Sequence, residues 1–183
     1  PYGGIVFGTY NEDPDKVKRK PIANLYRLAP NLSLTHLLSN ITVSNGIAFS
    51  ENENIMYFAD TPTGRIQKFE YTKNFNKFYE LETNMIFKNV GEPDGATVDI
   101  DNNYWSARVR GKCIICVDTK DEKIIEKISL PTNTPTCVTF GGANLNSLYI
   151  TSLRADPTTD NEGGNLHKIE TSTQGRAQLL TDI

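Results

Sequence analysis

One strand pattern recurs four times along the chain at a nearly constant spacing. Each copy is an apolar and aromatic run that ends in small or polar residues. Its aligned positions are Phe7, Phe58, Trp105 and Ile150, which lie 51, 47 and 45 residues apart. A second strand pattern follows each copy after a polar stretch, at 24–28, 65–69, 113–117 and 165–169. A period of about 40–50 residues with about four strands in each period is typical of β-propeller blades.

Helical periodicity is weak throughout, because short β-branched and aromatic runs bounded by Asn, Gly, Pro and Asp dominate the sequence. The 183 residues have room for about four repeats of this length. We therefore predict an all-β fold, a β-propeller with about four blades, in which residues 1–183 form a single domain.

A third pattern is shared by the segments that open successive repeats. Asn45-Gly46 opens one, Asp94-Gly95 opens the next 49 residues later, and Thr136 holds the same phase in a third. We expect each polar residue to occupy a tight turn before an apolar strand. The first strand of a propeller blade lies along the central channel, so these turns converge on one mouth of the channel. The repeat thus predicts that Asn45 and Asp94 are neighbours.

An amide oxygen and a carboxylate that converge in this way suit a hard divalent cation such as Ca²⁺. A bound cation would keep Asp94 ionised and polarise a substrate carbonyl. A structural alternative stays open, because Asn-Gly and Asp-Gly are also common hairpin turn pairs. Because the two pairs occupy the same position in successive repeats, a cation site is favoured over two unrelated turns.

Composition and charge exclude several classes of protein. The net charge is −3, which gives no basic footprint for nucleic acid. No apolar run approaches the ~20 residues that would span a membrane. Three cysteines argue against a disulfide framework, and Cys113 and Cys116 are interpreted as apolar strand residues, since no second pair completes a zinc set. His36 and His167, the only histidines, are interpreted as packing or surface residues.

Three further side chains have a structural and a functional interpretation. Trp105 is expected in the core between blades rather than as a substrate platform. Arg108 and Arg110 follow it near the end of a strand, where they would either be solvated at the surface or face the channel and bind an acidic sugar.

The sequence resembles a known family along its whole length. The motifs are Ser44-Asn45-Gly46, Glu92-Pro93-Asp94-Gly95, and 140–144 ahead of the strand at 148–151, together with the Gly-Thr that ends the strand pattern at Gly8-Thr9. They are similar to those of the senescence marker protein/gluconolactonase/luciferin-regenerating enzyme family, and most of all to its animal regucalcin branch. The resemblance implies a six-bladed propeller, of which this chain would be the C-terminal three-fifths, with the N-terminal blades missing.

The resemblance also implies an activity, the metal-dependent hydrolysis of sugar lactones. Asn45 and Asp94 would be ligands of one divalent ion, Ca²⁺ or Zn²⁺, with Mg²⁺ and Mn²⁺ as further candidates. Asp94 would also be the catalytic residue that transfers the proton. The acidic residue after the Gly-Thr strand would contact substrate, which points to Asp13 or to Glu12 beside it. A third ligand of the family, a glutamate, would come from a blade that precedes this segment.

Two other functions remain open beside the lactonase. One is a non-catalytic Ca²⁺-binding regulatory propeller that keeps the channel site, and the other is an inactive fragment. The implied partner is a small sugar lactone, with no nucleic acid and no membrane, and the oligomeric state is not predicted. The cysteine count and the resemblance both favour the cytoplasm.

Overall fold

The computed structural model describes residues 2–13, 15, 18–50 and 54–177, and these residues form fourteen β-strands. The strands are β1 Ile5–Gly8, β2 Ala23–Leu28, β3 Leu34–Ile41, β4 Ser44–Phe49, β5 Ile55–Asp60, β6 Arg65–Tyr71, β7 Phe78–Leu81, β8 Glu92–Val98, β9 Tyr104–Val109, β10 Cys113–Asp118, β11 Lys123–Ser129, β12 Pro135–Gly141, β13 Ser147–Ser152 and β14 Leu166–Glu170. Two short 3₁₀ segments, Thr61–Thr63 and Lys88–Val90, are the helical elements of this part of the chain. Neither is long and apolar enough to cross a membrane.

Consecutive strands pair into four separate antiparallel sheets, here called blades 1 to 4. Blade 1 is β1-β2-β3, blade 2 is β4-β5-β6-β7, blade 3 is β8-β9-β10-β11 and blade 4 is β12-β13-β14. The four aligned positions of the repeat fall on β1, β5, β9 and β13, which are equivalent strands of successive blades. The all-β prediction and the arrangement in about four propeller blades are confirmed.

Each pair of neighbouring blades encloses its own apolar core. One cluster lies between blades 1 and 2, a second between blades 2 and 3, and a third between blades 3 and 4. The middle strands are therefore covered on both faces, and every residue of β5 is buried. Trp105 of blade 3 packs edge-to-face against Phe140 of blade 4, with ring centroids 5.5 Å apart. The predicted place of Trp105 in the core between blades is confirmed.

The inner strands of blades 2 to 4 carry the motifs, but not in the form that we expected. β4 packs against β8, and β8 packs against β12. The Asn45-Gly46 and Asp94-Gly95 pairs lie inside β4 and β8, so the expectation of a tight turn ahead of each strand is wrong, and so is the alternative of a hairpin turn. In both strands the pairing register shifts there, between Asn45 and Ala48 and between Pro93 and Ala96. The register of β12 shifts at the same phase, between Pro135 and Cys137.

A β-bulge has the same small-residue chemistry as a turn, which explains the misassignment. Gly46 has φ of 61°, in the left-handed region where glycine is favoured. The bulge bends the strand and re-aims the side chains beside it. The bulges therefore lie near the start of the inner strands: Asn45, which still pairs with Ala59, borders the bulge of β4, and Asp94 lies within the bulge of β8.

Two other sequence interpretations are settled by strand geometry. Cys113 and Cys116 belong to different clusters on opposite faces of β10, so they cannot share a metal, and the structural interpretation is confirmed. Arg108 is fully buried, which overturns both expectations for it. It donates hydrogen bonds to the carbonyl oxygens of Phe87 and Gly91, at 3.1 and 2.7 Å. These bonds hold the segment that leads into β8 in place.

Candidate functional site

Asn45 and Asp94 line the same cavity, which has a volume of about 290 Å³. The cavity lies where the start of β4 meets the start of β8, and its wall includes the 3₁₀ segment after β5 and the end of β9. The nine lining residues are Arg19, Val43, Asn45, Thr61, Pro62, Glu92, Asp94, Val109 and Arg110. Two residues 49 positions apart in sequence are thus brought together by the stacking of blades 2 and 3.

A chain of side-chain hydrogen bonds joins the two blades at this point. The amide nitrogen Nδ2 of Asn45 donates to Oγ1 of Thr61 over 2.7 Å. The Thr61 hydroxyl donates in turn to the backbone carbonyl of Pro93, directly before Asp94, over 2.8 Å. A hydroxyl has one proton to give, so here it can only accept from Asn45, and this fixes which end of the amide faces Thr61. The Oδ1 oxygen of Asn45 accepts no hydrogen bond from any described residue.

The start of β4 is held by a second network, centred on a buried carboxylate. Asp60 accepts hydrogen bonds from the backbone N–H groups of Thr42 and Val43, at 3.0 and 2.8 Å. The backbone N–H of Thr61 donates to the carbonyl oxygen of Val43 over 3.1 Å. The segment that enters β4 is therefore fixed against the end of β5, which positions Asn45 relative to Thr61.

Asp94 is half-buried, and this burial raises the pKa of its carboxyl from 3.8 to about 6. Burial disfavours the charged form, and a hydrogen bond from the backbone N–H of Gly95 opposes it more weakly. A carboxyl with a pKa near 6 is poised to exchange protons close to neutral pH.

The donor chemistry of the cavity fits a hard cation. Asn45 offers a carbonyl oxygen without a hydrogen-bond donor among the described residues, and Asp94 offers a carboxylate. The cavity lining includes neither His nor Cys among the described residues, so its ligands are oxygens, as Ca²⁺ prefers. Two ligands are an incomplete set, and in the described part of the chain no group of three or more His, Cys, Asp and Glu side chains is arranged to hold a metal.

The two acidic residues expected to contact substrate lie beside the cavity and not in its lining. The carboxylate of Glu12 is exposed and accepts a hydrogen bond from the Tyr10 hydroxyl over 2.9 Å. Oδ1 of Asp13 accepts from the backbone N–H of Asp15 over 3.0 Å. The backbone carbonyl of Asp13 accepts from Nε of Arg19 over 2.7 Å, and Arg19 does line the cavity. A substrate contact by Asp13 or Glu12 stays a prediction.

Arg110 and Glu92, which both line the cavity, form an ion pair. Both side chains also line a neighbouring cavity of about 390 Å³ together with Lys88. Arg110 is exposed and paired, so both sequence interpretations of it are partly met: it is at the surface, and it faces the candidate site.

Sequence reasoning missed two polar residues of this cavity, Thr61 and Arg19. Thr61 carries no motif, because its role depends on the spacing of two blades, and only its place directly after the strand that ends at Asp60 could have drawn attention to it. Arg19 was hidden in a basic stretch of a long loop, where a solvated position is the ordinary expectation.

Comparison with known proteins identifies the family. The family model described as "SMP-30/Gluconolactonase/LRE-like region" matches residues 1–154. A protein of Bacillus subtilis named "Putative sugar lactone lactonase YvrE" is 33% identical over 86% of this chain and 53% of its own length. Regucalcin of Danio rerio is 29% identical over 83% of this chain and 51% of its own length.

A solved structure titled as a luciferin-regenerating enzyme superposes with a TM-score of 0.87 at 27% identity, covering all of this chain and 63% of that one. The chain thus spans between about half and two-thirds of the length of these relatives. Because the family model covers most of the 183 residues, the chain belongs to the SMP-30/gluconolactonase/LRE-like family.

Proposed function

We propose that the whole protein is a metal-dependent hydrolase of sugar lactones, with Asn45 and Asp94 as ligands of one divalent cation. The observation that carries this proposal is that both residues line one cavity between blades 2 and 3. The family, and a relative named as a sugar lactone lactonase, support the class of substrate.

Oδ1 of Asn45 and the carboxylate of Asp94 are the atoms that would hold the cation. When bound, a divalent ion supplies a Lewis acid that polarises the lactone carbonyl. The all-oxygen donors favour Ca²⁺ over Zn²⁺, which usually takes nitrogen or sulfur ligands. Thr61 keeps the amide of Asn45 in the orientation that leaves its oxygen available.

Asp94 transfers the proton in this proposal. Its ionised carboxylate accepts a proton from the water that attacks the lactone carbonyl, and the ring C–O bond then breaks to give the hydroxy acid. The released alkoxide oxygen takes this proton from the Asp94 carboxyl, so Asp94 is ionised again and the product is the open-chain hydroxy acid. A pKa near 6 before cation binding leaves the carboxylate mostly ionised at neutral pH.

Lactone hydrolysis by the whole protein tests the proposal. Turnover of D-glucono-1,5-lactone is measured by pH-stat with and without a chelator, then with Ca²⁺, Zn²⁺, Mg²⁺ and Mn²⁺ restored one at a time. We expect turnover to require the cation and to fall at least a hundredfold in Asp94→Asn and Asn45→Ala. An Asn144→Ala variant is the control, since Asn144 is exposed and away from the cavity.

Two outcomes would contradict the proposal. If the cation binds but no Asp94-dependent turnover is detected, the site serves a non-catalytic regulator. If chelation leaves turnover unchanged, the hydrolysis is not metal-dependent and uses other residues.

A further inference from the structure

The loop between β1 and β2 brings a cationic side chain to the cavity that holds Asn45 and Asp94. Arg19 is half-buried and lines this cavity. Its Nε donates to the backbone carbonyl of Asp13 over 2.7 Å, which restrains the plane of the guanidinium. The terminal amino groups of Arg19 donate no hydrogen bond to any described residue.

Among the described residues, the charges around the cavity leave the guanidinium of Arg19 without an ion-pair partner. Arg110, the other cation of the lining, is paired with Glu92. No described carboxylate forms an ion pair with Arg19, and Glu12 and Asp13 in its own loop accept hydrogen bonds from Tyr10 and from the backbone of Asp15. A guanidinium with free terminal N–H groups binds carboxylate, sulfonate or phosphate through a planar two-pronged contact.

The cavity volume limits the size of the ligand. About 290 Å³ lies at the lower end of the range for small-molecule sites, about 300–1,000 Å³. This space is sufficient for a single sugar unit. Its lining combines the apolar side chains of Val43, Pro62 and Val109 with six polar or charged ones, among which Arg19 is a cation.

We propose that Arg19 is a specificity-determining residue that contacts an anionic substituent of the lactone, so that the preferred substrates are lactones of acidic monosaccharides. This inference rests on the proposed function, because it assumes that the lactone ring lies beside Asn45 and Asp94. Asp13 then acts through its backbone carbonyl, which positions Arg19, and not through its carboxylate.

The first experiment compares two lactones that differ in charge. The whole protein is assayed with D-glucaro-1,4-lactone, which carries a carboxylate, and with neutral D-glucono-1,5-lactone. We expect Arg19→Gln to lower the ratio of kcat/KM for the anionic over the neutral lactone about tenfold, chiefly through KM, as loss of a charge-assisted hydrogen bond predicts. Arg19→Lys is expected to recover part of the ratio, since it keeps the charge and loses the planar fork.

Lys18→Gln is the matched control. It removes one positive charge from the same loop, but Lys18 is exposed, pairs with Asp15 and does not line the cavity. The control should leave the ratio within twofold of the wild type. An equal effect of the two variants would mean a general charge effect and would overturn the proposal.

A binding measurement separates this inference from the lactonase itself. D-glucarate is titrated into each variant by calorimetry at constant ionic strength, with no turnover needed. Arg19→Gln should weaken glucarate binding about tenfold, and Lys18→Gln should not. If the protein hydrolyses neither lactone but binds glucarate through Arg19, the lactonase fails and the anion site stands. If Arg19→Gln changes neither the ratio nor glucarate binding, the inference is overturned.

Discussion

The amide nitrogen of Asn45 donates a 2.7 Å hydrogen bond to the hydroxyl of Thr61. That hydroxyl donates in turn to the backbone carbonyl of Pro93, directly before Asp94 in blade 3. This relay makes the orientation of one side chain in blade 2 depend on the position of blade 3. It also links the geometry of both proposed ligands through a residue that need not touch the cation.

Thr61→Val tests whether the relay positions Asn45. Valine has nearly the shape of threonine and cannot accept or donate, so the amide of Asn45 loses its fixed orientation. We expect cation affinity, measured by calorimetry, to fall roughly fivefold to tenfold, the effect of about 1 kcal/mol. Thr61→Ser keeps the hydroxyl and should stay within about threefold of the wild type. Equal affinities for the valine and serine variants would contradict the relay.

The raised pKa of Asp94 predicts how the metal-free protein responds to pH. The Asp94 carboxyl holds its proton more tightly in the folded state than in the unfolded state. Protonated Asp94 therefore stabilises the fold; this stabilisation is complete below about pH 4 and is lost as pH rises through about 6. Asp94→Asn removes the effect. In urea denaturation the variant should match the wild type near pH 4 and exceed it at pH 7 by about 1 kcal/mol, a value reduced for partial exposure.

A wild-type protein that stays as stable as Asp94→Asn at pH 7 in the presence of chelator would contradict the raised pKa. Asp101→Asn serves as the control, because Asp101 is exposed and lies outside the cavity.

The bulge in β4 depends on a glycine that touches the neighbouring blade. Gly46 has φ of 61°, its carbonyl accepts a 2.8 Å hydrogen bond from the Tyr104 hydroxyl, and an added Cβ would collide with that hydroxyl. Gly46→Ala should cost about 2 kcal/mol or more of unfolding free energy, from left-handed strain and the collision. In a Tyr104→Phe background the cost should shrink by roughly 1 kcal/mol, as a double-mutant cycle by chemical denaturation would report. Identical costs in both backgrounds would rule out the collision.

The three cysteines predict a simple pattern of thiol reactivity. Cys113 and Cys116 are buried, whereas Cys137 is exposed on β12. Burial raises the pKa of all three thiols, so accessibility is what distinguishes Cys137. An aromatic disulfide reagent should therefore label one thiol per native chain and three after denaturation. Cys113→Ala with Cys116→Ala should leave the metal content unchanged. Loss of metal in this double variant would restore the zinc interpretation that the opposite faces of β10 exclude.

The repeat in the sequence was sufficient to predict the blades, because strand pairing between neighbours follows from apolar runs and their spacing. The strand patterns near Phe58 and Trp105 match β5 and β9 to within one or two residues. The cavity shared by Asn45 and Asp94 was also predicted, since equivalent positions of stacked blades must lie side by side.

Features that depend on contacts between blades could not be read from the sequence in the same way. The bulges in β4 and β8 resemble turns locally, and only the pairing register distinguishes the two. Arg108 resembles a surface arginine, yet the carbonyls of Phe87 and Gly91 hold it in the interior. Thr61 and Arg19 reach the cavity from a neighbouring strand end and a long loop, and neither position has a local signature.

Calorimetric titration of the metal-free whole protein with Ca²⁺ tests the central claim most directly. The account predicts one strong site per chain, at least a tenfold loss of affinity in Asn45→Ala and in Asp94→Asn, and wild-type affinity in Asn144→Ala and Asp101→Asn. Because the two residues share one ion, the double variant should lose less than the sum of the two single losses in free energy. Strong binding that survives Asn45→Ala, or losses that add fully, would show that Asn45 and Asp94 do not hold the same cation.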